Sequence, residues 1–578
     1  MPAAARPHSI VARLSRLHAL RDAYTLSAAA EKRLLLPSIE PGQLRTAADM
    51  ERWHDDVLFI RAFPDSSALA RAAGALLRRT AAAVRDMRPA AQTRLEDTGI
   101  AGTCTRHAFS RGIADWLVAQ GEDADIDWDR LETPAVLDPL LRLLLTQSEA
   151  DAFDSGELST REWLDVARQR SQPSDLAWLL KSVKPVRRAE RSPAPTIPRA
   201  AYESIDVPVR WRQLGARSSS RNVVVMRRIV ARTGMRPWPV NAPGDIATPH
   251  ADVELLSAAA ARPWLDASRA ALAARCREVH AIAYANKNEI YLADLGEGAS
   301  LCIVGAARDD RSTLEANYGY VLFSNGVPIG YGGVTPLAAQ ANTGVNIFDA
   351  FRHSEAPFLF AQALRVFHSL FGVTRFVVNP YQFGADNDEA LASGAYWFYD
   401  RLGFRPVRVA TRRLANRERL LGARDRSHRS SLTTLRRLAS GDVVLDLPGA
   451  GETAIFDERH LATLAREVAR ALASSEAASR ADRAAAMAGE MAKALGAPPL
   501  RALTSRERFG YERLGPVLWL ARASIRRWPP AARRALDELV RAKGQAQERD
   551  FARKARELPR LWSALDAVCR STGGPGRR

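Results

Sequence analysis

Cysteine is scarce: Cys104, Cys276, Cys302 and Cys569 are the only four in 578 residues, and no two form a C-x-x-C pair. That spacing excludes a disulfide framework and a thiolate zinc site, and it points to reduced, mostly buried thiols in a cytoplasmic chain. Long apolar runs are also missing. No window approaches the roughly 18 uncharged residues that a membrane span needs, and the richest stretch, 137–146, is interrupted by Asp138 and Arg142. No membrane association is therefore expected. In the opening MPAAARPHSIVARLSRLHAL, Arg13, Arg16 and His18 break any signal-type apolar core, so it reads as an ordinary amphipathic start.

Several catalytic signatures are absent: G-x-x-x-x-G-K-[ST], H-E-x-x-H, an EF-hand loop and G-x-S-x-G. ATPase, zinc-protease and α/β-hydrolase chemistry lose their sequence support. His353 and His368 have no partner at metal-ligand spacing, and no metal is expected. Gly449-Ala450-Gly451-Glu452-Thr453-Ala454 formally satisfies G-x-G-x-x-A, but no βαβ unit follows it, and it reads as a loop.

The chain carries 83 basic against 65 acidic residues, a net charge of +18. The excess is concentrated at the end, where 501–578 holds 19 basic and 8 acidic residues. A cluster of this kind suits nucleic-acid binding. Arg outnumbers Lys about tenfold and Ala is abundant, so the base composition of a GC-rich gene accounts for the same excess.

At this length several domains are expected. Residues 1–185 read as helical; 69–84, LARAAGALLRRTAAAV, combines strong helix formers with apolar positions three and four apart. The Pro- and Arg-rich 186–200 reads as a linker and 201–270 as a mixed connecting region, with a helix over 255–279. Residues 271–412 read as an α/β domain and 413–578 as a basic helical region, its clearest segments at 461–473, 476–495 and 531–558.

Within 271–412 the apolar period changes to two. Strands are expected at 289–294, 300–304, 318–324, 327–334 and 344–349. Asn325-Gly326 joins the middle pair, because both residues tolerate the positive φ of a tight hairpin. A helix follows near 358–371, with Phe360, Leu364, Phe367 and Phe371 on one stripe. A strand at 375–378, a helix at 389–402 and a strand at 404–409 complete a mixed α/β sheet.

This order, together with Tyr396-Trp397-Phe398-Tyr399-Asp400-Arg401-Leu402-Gly403-Phe404, resembles the end of the GNAT acetyltransferase fold, in which a helix closes with a Tyr-x-x-Leu-Gly-Phe-type sequence. The resemblance covers about 90 to 120 residues. It implies a multi-domain chain whose central, mixed α/β GNAT-like acyltransferase domain is flanked by mostly helical regions. The implied activity is transfer of an acyl group from acetyl-CoA or another acyl-CoA to an amine on a small molecule or protein. Tyr399 matches the tyrosine that returns a proton to the departing thiolate, and packing at the helix end accounts for it equally well. Asp349 is the candidate base for the amine; capping of the next turn explains the same residue.

The family's phosphate loop, Arg/Gln-x-x-Gly-x-Gly/Ala, aligns with Phe351-Arg352-His353-Ser354-Glu355-Ala356-Pro357, leading into Phe358. Arg352 fits, while Glu355 and Pro357 stand where glycine or alanine is usual. Pro357 removes one amide donor, and Glu355 competes with phosphate for the positive end of the helix dipole, a repulsion on the order of a few kcal/mol at intermediate dielectric. These departures leave a second class open: a catalytically inactive GNAT-fold scaffold or ligand sensor, with 501–578 as a nucleic-acid-binding arm.

Overall fold

The computed structural model describes residues 9–131, 133–168, 172–182, 197–250, 252–352, 354–450, 456–473 and 479–571. Most of the expected 186–200 linker, residues 451–455 of the Gly449 loop, and His353 lie outside these.

Two sheets organise the chain. In the first, β1 (Cys104–His107), β2 (Asp123–Ile126) and β3 (Val209–Arg212) form an antiparallel sheet with β3 in the middle. The 1–185 stretch is therefore not helical throughout. Its two strands are only four residues long, too short for alternation to stand out from the helical background. They seed a core of their own, built on Trp116, Leu140, Leu179 and Trp211.

The second sheet has ten strands: β4 (Val253–Leu255), β5 (Ala285–Gly296), β6 (Ala299–Ala306), β7 (Tyr318–Ser324), β8 (Val327–Leu337), β9 (Gln340–Thr343), β10 (Asn346–Ile347), β11 (Arg375–Val378), β12 (Arg405–Pro406) and β13 (Val443–Asp446). Its order is β12-β13-β11-β9-β8-β7-β6-β5-β4, with β10 folded back onto β8. All neighbours are antiparallel except β9 and β11, which are parallel. The helix Ala356–Phe371 makes the crossover between them and buries Phe360, Leu364, Phe367 and Phe371 as its stripe requires. It stops at Gly372, whose φ of 74° suits a glycine cap. One hydrophobic core runs from the first helices through this sheet into the last ones.

Several boundaries differ from expectation. The strand expected at 344–349 is shorter, β10 alone: ahead of it β8 runs on to Leu337, turns, and returns as β9, and after it Asp349 opens a short 3-10 turn, Asp349–Phe351. The 389–402 helix is two helices, Asp388–Ala392 and Ala395–Arg401, because Gly394 at φ 67° breaks the run. The strand expected at 404–409 covers only β12, and Val409 begins the helix Val409–Arg424. The helices expected at 69–84, 255–279 and 531–558 are also shorter or interrupted, giving Ser67–Leu77 with Thr80–Arg85, Ala258–Ala273, and Pro530–Lys543 with Arg549–Arg556.

The helical regions are fastened to the central sheet by polar contacts. At the β7–β8 hairpin, Asn325 (φ 47°) and Gly326 (φ 76°) make the expected turn. Its tip grips the helix Ala47–Ala62: Ser324 Oγ and Asn325 Nδ2 both donate to the Ala62 carbonyl, at 2.7 and 3.0 Å. On the C-terminal side, the fully buried Arg311 donates to the carbonyls of Lys543, Gln545 and Ala546 (2.7–3.3 Å), and the buried Lys543 pairs with Glu548 at 2.6 Å.

A side chain at Gly326 would come within 2.0 Å of the Val224 carbonyl oxygen, whereas one at Gly489 in the helix Arg480–Leu495 meets nothing within 4 Å. Gly326→Ala is therefore expected to lower stability by about 2 kcal/mol or more, from the left-handed backbone plus the clash. Gly489→Ala should raise it by about 0.5–1 kcal/mol through helix propensity. Urea midpoints of the two variants check both signs.

Candidate functional site

The site begins where β9 and β11 separate. They are paired only from Gln340/Arg375 to Asn342/Val377. Beyond that register the chain after β9 stays with β8, where Asn346 and Ile347 face Tyr331 and Gly330. After β11 it turns away at Asn379, whose side chain caps the 3-10 turn Pro380–Phe383. Tyr320 Oη holds the Gly344 carbonyl at 2.6 Å, which keeps the first branch against β8.

Tyr399 sits in the fork. Its hydroxyl accepts from the Val345 amide at a long 3.5 Å, and its ring is walled by Phe360, Phe383, Phe398 and Phe404. It is 2% exposed, and this burial raises its phenol above the usual value and keeps it protonated. The break at Gly394 explains the inward turn. An unbroken helix would bury Leu391, Ala395, Phe398 and Leu402. The restarted helix buries Tyr396, Tyr399 and Asp400 and leaves Ala395 and Phe398 half-buried.

A cleft of about 1390 Å³ opens onto this fork, lined there by Val345, Ala350, Ala356, Gln382 and Tyr399. At the amino end of the 356–371 helix, the amides of Ala356 and Phe358 have no acceptor among the described residues. The Ser354 hydroxyl is buried and likewise without a partner. Phe351 is fully buried against Phe59 and Phe63 and offers only its backbone. The Phe358 ring is covered by the Arg236 guanidinium at 4.4 Å. Arg352 is half-exposed and bridges two carboxylates, Asp349 at 2.5 Å and Glu389. Asp349 is largely exposed, at the mouth of the cleft. His368 is structural, with Nδ1 against the Val373 carbonyl at 2.7 Å.

Glu355 neither faces solvent nor lines the cleft. Its carboxylate pairs with Arg232 and accepts from the Arg236 amide at 3.1 Å, and the Arg232 and Glu355 side chains are at most 1% exposed. Arg232 also donates to the Glu297 carbonyl at 2.6 Å. The negative charge beside the helix end is thus compensated by a guanidinium from the 226–236 segment, and the repulsion expected from sequence is reduced at its source.

Away from the fork the cleft becomes two-sided. One end combines Glu51, His54 and Asp55 of the 47–62 helix with Asp97, Arg275, Arg277, Tyr331 and Phe348. The other is rich in arginine: Arg401, Arg405, Arg419, Arg426 and Arg429 surround Asp400 and Glu418, with Arg419 on Asp400 at 3.0 Å and His428 on Glu418 at 3.0 Å. None of these residues outside 344–402 was identifiable as part of a site from sequence. No spacing motif connects Glu51 with a loop some 300 positions later; the packing of Phe59 and Phe63 on Phe351 and the hairpin's hold on the Ala62 carbonyl bring the two together.

No family model, curated protein or solved structure matches the chain. Among the described residues no helix is long and apolar enough to cross a membrane, and no group of three or more His, Cys, Asp or Glu could hold a metal ion.

Removing one partner of the buried Arg232–Glu355 pair strands the other charge. Glu355→Ala is expected to cost about 3–5 kcal/mol, and the double replacement Arg232→Met with Glu355→Met should recover most of it. Thermal melts of the three proteins provide the check.

Proposed function

We propose that the chain is a GNAT-type N-acyltransferase that moves an acyl group from acetyl-CoA or another acyl-CoA to an amine. The observation that carries this reading is the parting of the parallel strands β9 and β11 beneath an open cleft, with the Tyr399 hydroxyl in the fork. The sheet order supports it as well: an antiparallel run ends at β9, one helix crosses to the parallel β11, and β13 inserts between β11 and β12.

The helix end would offer a phosphate the amide of the cleft-lining Ala356, which has no acceptor among the described residues, at the positive end of a 16-residue helix; the Phe358 amide and the buried Ser354 hydroxyl are likewise without acceptors there but belong to residues set back from the cleft. The acyl-CoA would supply the activated carbonyl. The amine nitrogen would attack the thioester carbon and the C–S bond would break. Tyr399 would pass its proton to the leaving thiolate, and the surplus proton on nitrogen would go to Asp349 or water. With the C–S bond at the fork, the ring cage holds the phenol in place and excludes water from it.

A second reading, a GNAT-fold protein that binds ligand without turnover, draws on Arg352. Its guanidinium already spans Asp349 and Glu389 and has little left to offer a phosphate. Calorimetric titration with acetyl-CoA, followed by an assay of thiol release in the presence of amines, separates the two. The enzyme reading expects binding and release. Binding with no release from any amine supports the sensor, and no binding at about millimolar ligand rejects the enzyme reading. Tyr399→Phe should lower kcat about 100-fold with Kd for acetyl-CoA unchanged; an unaltered kcat would remove this tyrosine from the chemistry.

A further inference from the structure

Between Arg401 and Arg437 the chain holds twelve arginines and two carboxylates, Glu418 and Asp425, a net charge of +10 in 37 residues. That density is about twice that of 501–578, and it far exceeds the chain-wide balance of 83 basic to 65 acidic residues.

The fold leaves most of this charge uncompensated. Leu414, Ala415 and Glu418 lie on the buried side of the helix Val409–Arg424. Glu418 accepts from Ser430 Oγ at 2.8 Å and meets His428 Nε2 at 3.0 Å, which folds the following loop back and sets Arg426 and Arg429 on the wall of the cleft. The neighbouring Asp400 is taken by Arg405 at 3.5 Å and Arg419 at 3.0 Å. Apart from these two, only Arg417 has a carboxylate within ion-pair distance among the described residues, at 3.9 Å, so nine of the twelve have none. Ten of the twelve are exposed.

Aromatic rings stand among these charges. Trp238 is the one exposed tryptophan of the twelve in the chain, at 39%, and it lines the cleft with the Arg401 guanidinium over its ring at 5.6 Å. Phe398 supports that ring from the side, with centres 5.7 Å apart. Trp397 lines the same end, its Nε1 donating to Ser430 Oγ at 3.2 Å.

We infer that the arginine-rich end of the cleft and the adjoining 401–437 surface bind single-stranded nucleic acid, the guanidinium groups taking the phosphates and Trp238 stacking on a base. Such binding requires nothing of the acyltransferase reading, and it uses a different surface from the 501–578 arm expected from composition. Phosphates relieve the mutual repulsion of unpaired arginines, and an aromatic face within their reach adds stacking that tolerates any base. A ring that lines a cleft is open to an unpaired base, whereas the stacked interior of a duplex and the flat face of an anionic bilayer do not reach it.

The test titrates the full chain into a labelled oligouridylate of about 20 nucleotides, and into a duplex of equal length, by fluorescence anisotropy at several salt concentrations; co-sedimentation with phosphatidylglycerol vesicles runs beside it. Tighter binding of the single strand is expected. Arg426→Ala/Arg429→Ala should weaken it about tenfold and flatten the dependence of log Kd on log salt by about 1. Trp238→Ala should weaken it about tenfold with that slope unchanged. Removing two exposed charges of the C-terminal region, Arg526→Ala/Arg527→Ala, should leave affinity unchanged. No binding at low salt overturns the inference, as does preference for the duplex or for vesicles. Displacement of the strand by coenzyme A assigns these residues to the acyl donor and overturns it too. Native affinity in Trp238→Ala, or an equal loss in the C-terminal variant, replaces the site with a diffuse attraction of polyanions and likewise overturns it.

Discussion

Two parallel strands share hydrogen bonds only while they run side by side, and β9 and β11 do so for three residue pairs. The acyltransferase reading of this chain depends on what separates them afterwards. One branch is retained by β8 through the β10 pairing and the Tyr320 hydroxyl. The other is drawn off by the Asn379-capped turn and by β13 on its far side. The gap between them is neither closed by backbone nor empty, because Tyr399 reaches into it from a helix that begins at Gly394. A continuous sheet here would leave the cleft without a reactive end.

The cleft is assembled from distant parts of the sequence. The 47–62 helix reaches it because the β7–β8 hairpin holds its last carbonyl and because Phe59 packs on Phe351. The 226–236 segment contributes Arg232, which neutralises Glu355 behind the amino end of the 356–371 helix. The basic C-terminal helices are held to the sheet by the buried Arg311, Lys543 and Glu548 group. Of the basic residues in the described part of 501–578, Lys543 is the one buried at this junction, and removing either partner of such a buried pair would leave the other charge uncompensated.

The sequence made the middle of the fold legible where local chemistry and tertiary packing agree. The Asn325-Gly326 turn, the 375–378 strand and the phenylalanine stripe of the 356–371 helix each follow from positive φ or from period. It misled where one residue reset the register. Gly394 turns Tyr399 from the edge of a continuous helix into its buried face, and the Ala338 turn at φ 58° adds a strand at 340–343 ahead of the one expected at 344–349, which shrinks to 346–347. Of the site, Tyr399, Asp349, Arg352 and Ala356 could be selected because they lie within one contiguous resemblance. Glu51, His54 and Arg232 could not, since their proximity to that segment comes from long-range packing that leaves no periodic trace.

Amide hydrogen exchange of the full chain with and without coenzyme A tests the central claim most directly. The account predicts slowed exchange confined to 343–346 and 354–359, the two lips of the fork, and to the helix carrying Tyr399. Unchanged exchange in both lips under saturating ligand, or protection confined to the arginine-rich end of the cleft, would contradict it.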